Sequence, residues 1–110
     1  MRNSLIAGNH AALNLDLAGN FTSNGYNLIQ NVSGAAIITA PSDVIGMSPK
    51  VGPLENNGGQ TWTHALLPGS PALDQIPLEA CHFDNVVTDQ RGVKRPQGPK
   101  CDIGAYEASP

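Results

Sequence analysis

The chain has 110 residues and a mass of 11.5 kDa, which fits one domain and leaves no room for a two-domain enzyme. Hydrophobic residues make up 40%, enough for a core, whereas charged residues reach only 14%, well below the usual ~25%. A net charge of −3 and a pI near 5.4 exclude the basic footprint of a nucleic-acid or anionic-membrane binder, and a helical bundle would carry more charge on its wet faces.

Met1-Arg2-Asn3-Ser4 opens no signal-peptide apolar region, and no stretch approaches the ~18 apolar residues of a membrane span. Ser4-Leu5-Ile6-Ala7-Gly8-Asn9 is echoed by Leu15-Asp16-Leu17-Ala18-Gly19-Asn20 and by Asn27-Leu28-Ile29-Gln30-Asn31. Each phrase is aliphatic and ends in Gly or Asn, and the step from Leu5 to Leu28 falls in the ~20–50 residue range of solenoid repeats. Leu13, Leu15 and Leu17 alternate with Asn14 and Asp16, the period of a half-buried strand. Ala35–Thr39 and Val44–Ile45 predict two further short strands, punctuated by Pro41 and Gly46. Asn56-Asn57-Gly58-Gly59 is a turn signal, Gln60–Leu67 predicts one more strand, and Pro68-Gly69-Ser70-Pro71 forces an irregular loop. Little helix is expected.

Short strands with Asn at their corners suit an all-β, parallel solenoid whose coils bury Leu and Ile along an axis. Low charge agrees, because stacked like charges repel at the ~4.8 Å strand spacing. A small antiparallel sandwich would show the same strands and turns. The solenoid expectation divides the chain into stacked coils over residues 1–67 and a loop-rich C-terminal cap over 68–110, all in one structural domain.

The cap has its own chemistry. Arg91, Lys94, Arg95 and Lys100 are four of the six bases in the chain. Cys81 and Cys101 flank this loop-rich region and predict a disulfide, which the chain-entropy model values at about 3 kcal/mol. Two cysteines with His82 fall short of a zinc ligand set, so no metal is expected there. Asp16, Asp43 and Asp74 are too isolated for a calcium loop, and no cofactor is implied. Asp89, Arg91, Arg95, Asp102 and Glu107 predict a structural ion-pair cluster, with the arginines forking onto carboxylates or carbonyls. Asp102 and Glu107 would otherwise have to face a sugar as an acid and base pair. His10, His64 and His82 lack a nucleophile motif, so no catalytic residue is assigned. Trp62, beside His64, is a candidate sugar-stacking side chain, and these two residues form the candidate ligand site.

A series of phrases carries a family resemblance. Asn56-Asn57-Gly58-Gly59-Gln60-Thr61, Thr63-His64-Ala65-Leu66-Leu67-Pro68-Gly69-Ser70-Pro71-Ala72, Thr88-Asp89-Gln90-Arg91-Gly92, Arg95-Pro96-Gln97-Gly98 and Cys101-Asp102-Ile103-Gly104-Ala105-Tyr106-Glu107 resemble the C-terminal region of bacterial choice-of-anchor Q proteins. Gly25-Tyr26-Asn27-Leu28-Ile29 and Gly52-Pro53-Leu54 fit the same pattern, so the resemblance covers nearly the whole chain. It implies a terminal segment of a secreted or surface-attached right-handed parallel β-helix, without an assigned reaction. The expected role is therefore structural or adhesin-like, outside the cell, capping the solenoid. The alternatives are a carbohydrate-binding or polysaccharide-cleaving β-helix with an extracellular glycan as partner, and a short protein that self-assembles as a homo-oligomer through its open N-terminal coil edge.

Overall fold

A computed structural model describes residues 1–12 and 16–109. Among these residues, seven strands account for most of the regular structure: β1 (Leu5–Ile6), β2 (Gly19–Thr22), β3 (Leu28–Ile29), β4 (Ala35–Ile38), β5 (Val44–Ile45), β6 (Val51–Glu55) and β7 (Thr63–Leu66). One helical turn, α1 (Leu78–Cys81), and a 3₁₀ turn at Phe83–Asn85 follow. The alternating Leu13 and Leu15 of the predicted strand lie outside the described residues, and Leu17 is buried.

The recurring aliphatic phrases pair side by side. β1, β3 and β5 form a parallel three-stranded sheet in that order, with Leu5 opposite Leu28 and Leu28 opposite Val44. β2 and β4 form a separate parallel pair. The third sheet differs: β6 and β7 run antiparallel, with Glu55 opposite Thr63. This corrects the expectation of a right-handed parallel β-helix with stacked coils over residues 1–67. No solenoid is detected among the described residues, and the chain is a small fold of three short sheets, parallel and antiparallel, closed by a disulfide.

Two physical causes stand out. The spacing along the parallel sheet falls from 23 residues between β1 and β3 to 16 between β3 and β5, so no constant repeat length is kept. The Asn56–Gly59 turn then reverses the chain. Gly58 and Gly59 adopt φ of 98° and 77°, backbone that glycine enters without steric cost, and Asn57 Nδ2 donates to both the carbonyl and the hydroxyl of Thr63. A Cβ on Gly59 would lie 2.8 Å from Arg91 Cα, so this turn also seats the C-terminal region.

The core draws on both ends of the sequence. Leu28 and Leu66 pack with Ala72, Ile76, Cys81, Cys101 and Ile103, all buried. Ile76 and Cys101 exchange two backbone hydrogen bonds of 2.9 Å, and Ile103 N–H donates to Ala72 O. The C-terminal segment also reaches β1's approach: Gly104 N–H donates to Asn3 O, and a Cβ on Gly104 would stand 3.0 Å from Leu5 Cβ.

A buried amide joins the three parallel strands. Asn27, fully buried, accepts from Ser4 N–H through Oδ1, while its Nδ2 donates to Met1 O, Ser23 Oγ and Asp43 Oδ1. Burial pushes the Asp43 carboxyl up, but donors from Ala40, Ser23 and Asn27 outweigh it and hold the group below the usual carboxylate range. Replacing Asn27 leaves the Ser4 amide and the Asp43 carboxylate short of partners. Asn27→Ala is expected to cost about 2–3 kcal/mol in urea unfolding. A loss below about 0.5 kcal/mol, the range of neutral surface changes, would contradict this role.

Candidate functional site

Two regions gather the residues with chemical potential: a buried charge network in the C-terminal segment and an open cleft beside β1. The network begins at Asp89, whose side chain has no exposure. Its Oδ1 accepts the N–H groups of Arg91 and Val93, and its Oδ2 accepts Arg91 Nε, Arg91 Nη2 and the Glu107 N–H. Burial pushes the Asp89 carboxyl up, yet these donors prevail and hold it below its ordinary value.

Arg91 spends its remaining donors on Asn57 O at 3.2 Å and Glu107 O at 2.7 Å, and its guanidinium lies 3.8 Å from the centre of the Tyr106 ring. Arg95 Nε donates to Glu107 Oε2 at 2.9 Å, and its two terminal nitrogens bond the carbonyls of Gly104 and Asp102. Glu107 Oε2 also accepts the Asp102 N–H. Asp102 in turn accepts the N–H of Asp74 and of Ala108, each at 2.7 Å. Asp102 and Glu107 are both pushed up, chiefly by burial and also by a neighbouring carboxylate, Asp74 for Asp102 and Asp102 for Glu107. These acids are spent on backbone donors and on Arg95 inside the protein.

Cys81 and Cys101 are joined in a disulfide with Cα atoms 5.8 Å apart. His82 brings a ring nitrogen within 4.8 Å of both sulfurs, but the sulfurs are bound to each other and His82 Nε2 lies 2.7 Å from Arg95 O. The disulfide and the His82 contact both tie residues within the C-terminal segment. The Phe83 ring beside it takes the Arg2 guanidinium at 3.7 Å from its centre.

The cleft has a volume of about 590 Å³ and runs from Leu5–Asn9 to the β6–β7 hairpin. Trp62, immediately before β7 and 63% exposed, lines it with His64, Leu54, Gln90 and Tyr106. The candidate ligand residues Trp62 and His64 therefore share one surface, while Asp89, Arg91, Arg95, Asp102 and Glu107 lie outside its lining. His64 Nδ1 sits 2.8 Å from Gly52 O, which fixes the ring across the hairpin. Among the described residues, no Asp, Glu, Lys or Arg lines the cleft. Sequence reasoning missed Asn57 and Tyr106 as partners of Arg91 and Asn27 as a hub. Asn27, Asn57 and Tyr106 all fall in the singled-out phrases, but nothing local in those phrases marks their partners.

No family model matches the chain, and neither a curated protein nor a solved structure is significantly similar to it.

Because Asp89's folded value lies below its ordinary 3.8, its stabilisation is complete above that pH and disappears as pH falls through the folded value. Asp89→Asn strands Arg91 without its carboxylate and is expected to cost about 3 kcal/mol at pH 7. The gap from wild type should narrow in acid, as measured by urea unfolding at several pH values. An undiminished gap at the acid end would show that charge at Asp89 is not what matters.

Proposed function

We propose that the chain is a non-enzymatic structural module of an exported or cell-surface protein, with an adhesin-like rather than catalytic role. The observation that carries this reading is the internal use of its acid and base groups. Asp89, Asp102 and Glu107 are buried and face backbone amides and arginines, not the cleft. Glycoside hydrolysis needs two carboxyl groups turned toward a sugar, and this pair is turned inward.

The disulfide supports an oxidising compartment, where such bonds persist. The resemblance of the C-terminal phrases to choice-of-anchor Q proteins supports the same surroundings. A module of this kind gains resistance to unfolding and proteolysis from a covalent closure over its least regular segment. A glycan-binding reading draws on Trp62 and His64, whose cleft is uncharged and open.

The test has two arms. Oxidised protein should resist trypsin and lose that resistance when the disulfide is reduced, since Arg91, Lys94 and Lys100 lie in the closed loop. A panel of neutral and acidic polysaccharides should keep its reducing-end content on incubation with the protein. Sugar release that Glu107→Gln abolishes would overturn the non-enzymatic reading. Glycan binding abolished by Trp62→Ala would replace a purely structural role with a carbohydrate-binding one.

A further inference from the structure

Backbone polarity makes both margins of the parallel sheet available. Ser4 O and Ile6 O accept from Leu28 and Gln30, so the carbonyls of Ser4 and Ile6 point toward β3. In a parallel strand, alternate residues point their N–H and C=O to opposite sides. Leu5 and Ala7 therefore present theirs to the outer margin, and among the described residues β1 has no second strand beside it, the C-terminal segment meeting the chain just before it through Gly104 N–H to Asn3 O. At the other margin, Val44 and Gly46 donate to Asn27 O and Ile29 O. This leaves the main-chain groups of Ile45 facing away from β3, and β5 likewise has no second neighbour.

We infer that a second copy of this chain docks on the β1 margin through its β5 margin. The register follows from what is already paired. Leu28 sits between Ser4, just before β1, and Ile6, with its own N–H donating to Ser4 O. Ile45 of the second copy fits between Leu5 and Ala7 in the same manner: its N–H donates to Leu5 O and its carbonyl accepts the Ala7 N–H. That placement sets Ile45 of the second copy opposite Ile6, extending the existing file of Ile6, Ile29 and Ile45. Two positions further on, Met47 of the second copy comes opposite Gly8, a residue of the cleft.

Side-chain chemistry agrees with this occupant. The cleft along β1 has no charged lining, and Val44–Ser48, the segment that would cover it, has none either. Ile45 and Met47 are exposed at 37% and 53%. A charged partner or an anionic glycan would gain no counter-charge there. An unpaired strand margin beside exposed apolar side chains is the ordinary template for strand addition. Because β1 and β5 are different surfaces, the contact is head-to-tail and does not close on itself, so copies add in series.

Proline substitution tests this with little disturbance of the fold, since Ala7→Pro and Ile45→Pro each remove a donor that points outward and is used in no described bond. Sedimentation velocity across a concentration series should show the wild type growing in mass. Each variant alone should associate at least about tenfold more weakly. Near-ultraviolet circular dichroism confirms that each variant keeps the native packing, and Met47→Lys provides a second variant that leaves the backbone untouched. Mixing Ala7→Pro with Ile45→Pro should restore a one-to-one complex and nothing larger, because each supplies the margin that the other lacks. A wild type that stays monomeric throughout, or a mixture that fails to pair while both variants are folded, overturns the inference. Assembly unaffected by either proline, or by Met47→Lys, also overturns it.

Discussion

A carboxylate removed from water must find donors of its own, and Asp89 finds five within the protein. Those donors come from Arg91, Val93 and Glu107, so satisfying one side chain fixes a tight turn and the chain's last residues together. Arg91 then reaches Asn57 in the β6–β7 turn, which links the network to the hairpin. Arg95 repeats the arrangement with Glu107, and its terminal nitrogens hold the carbonyls of Asp102 and Gly104. Most of the backbone groups of this segment lack a strand ladder, and the buried ions take the ladder's place.

The segment so ordered is more than a cover. Ile76, Cys81, Cys101 and Ile103 contribute side chains to the same buried cluster as Leu28 and Leu66. A chain of this length buries little apolar area from its strands alone, and β1, β3 and β5 have two residues each. Neither half has a sufficient core without the other. The disulfide restricts the unfolded chain over the stretch with the fewest regular hydrogen bonds, where such a constraint has most to add.

The sequence made several parts of this arrangement legible because their chemistry is local. Cys81 and Cys101 flank a loop-rich stretch, the bases cluster near the C terminus, and Asn56–Gly59 has the composition of a turn. The aliphatic phrases at Leu5 and Leu28 indicate strands that lie side by side, as they do. The fold class was not legible, since a short aliphatic strand carries no mark of the direction its neighbour runs. Two glycines with positive φ decide that direction at the β6–β7 turn, and they are compatible with a coil corner as well as a reversal. Asn27 was illegible as a hub for a similar reason. Many asparagines punctuate this chain, and only tertiary placement sets one of them between Ser4, Ser23 and Asp43. The joint lining formed by Trp62, Gln90 and Tyr106 depends on contacts far apart in the chain, beyond the reach of any local pattern.

Native-state hydrogen exchange, resolved by residue, tests most directly whether both halves of the chain form one cooperative unit. In the oxidised protein the amides of Asp102, Ile103, Glu107 and Ala108, which bond to Glu107, Ala72, Asp89 and Asp102, should open with the same free energy as Leu28 and Val44 in the parallel sheet. Fast exchange of the four C-terminal amides beside a protected Leu28 and Val44 would mean that the charged segment is an appendage to a core that stands without it.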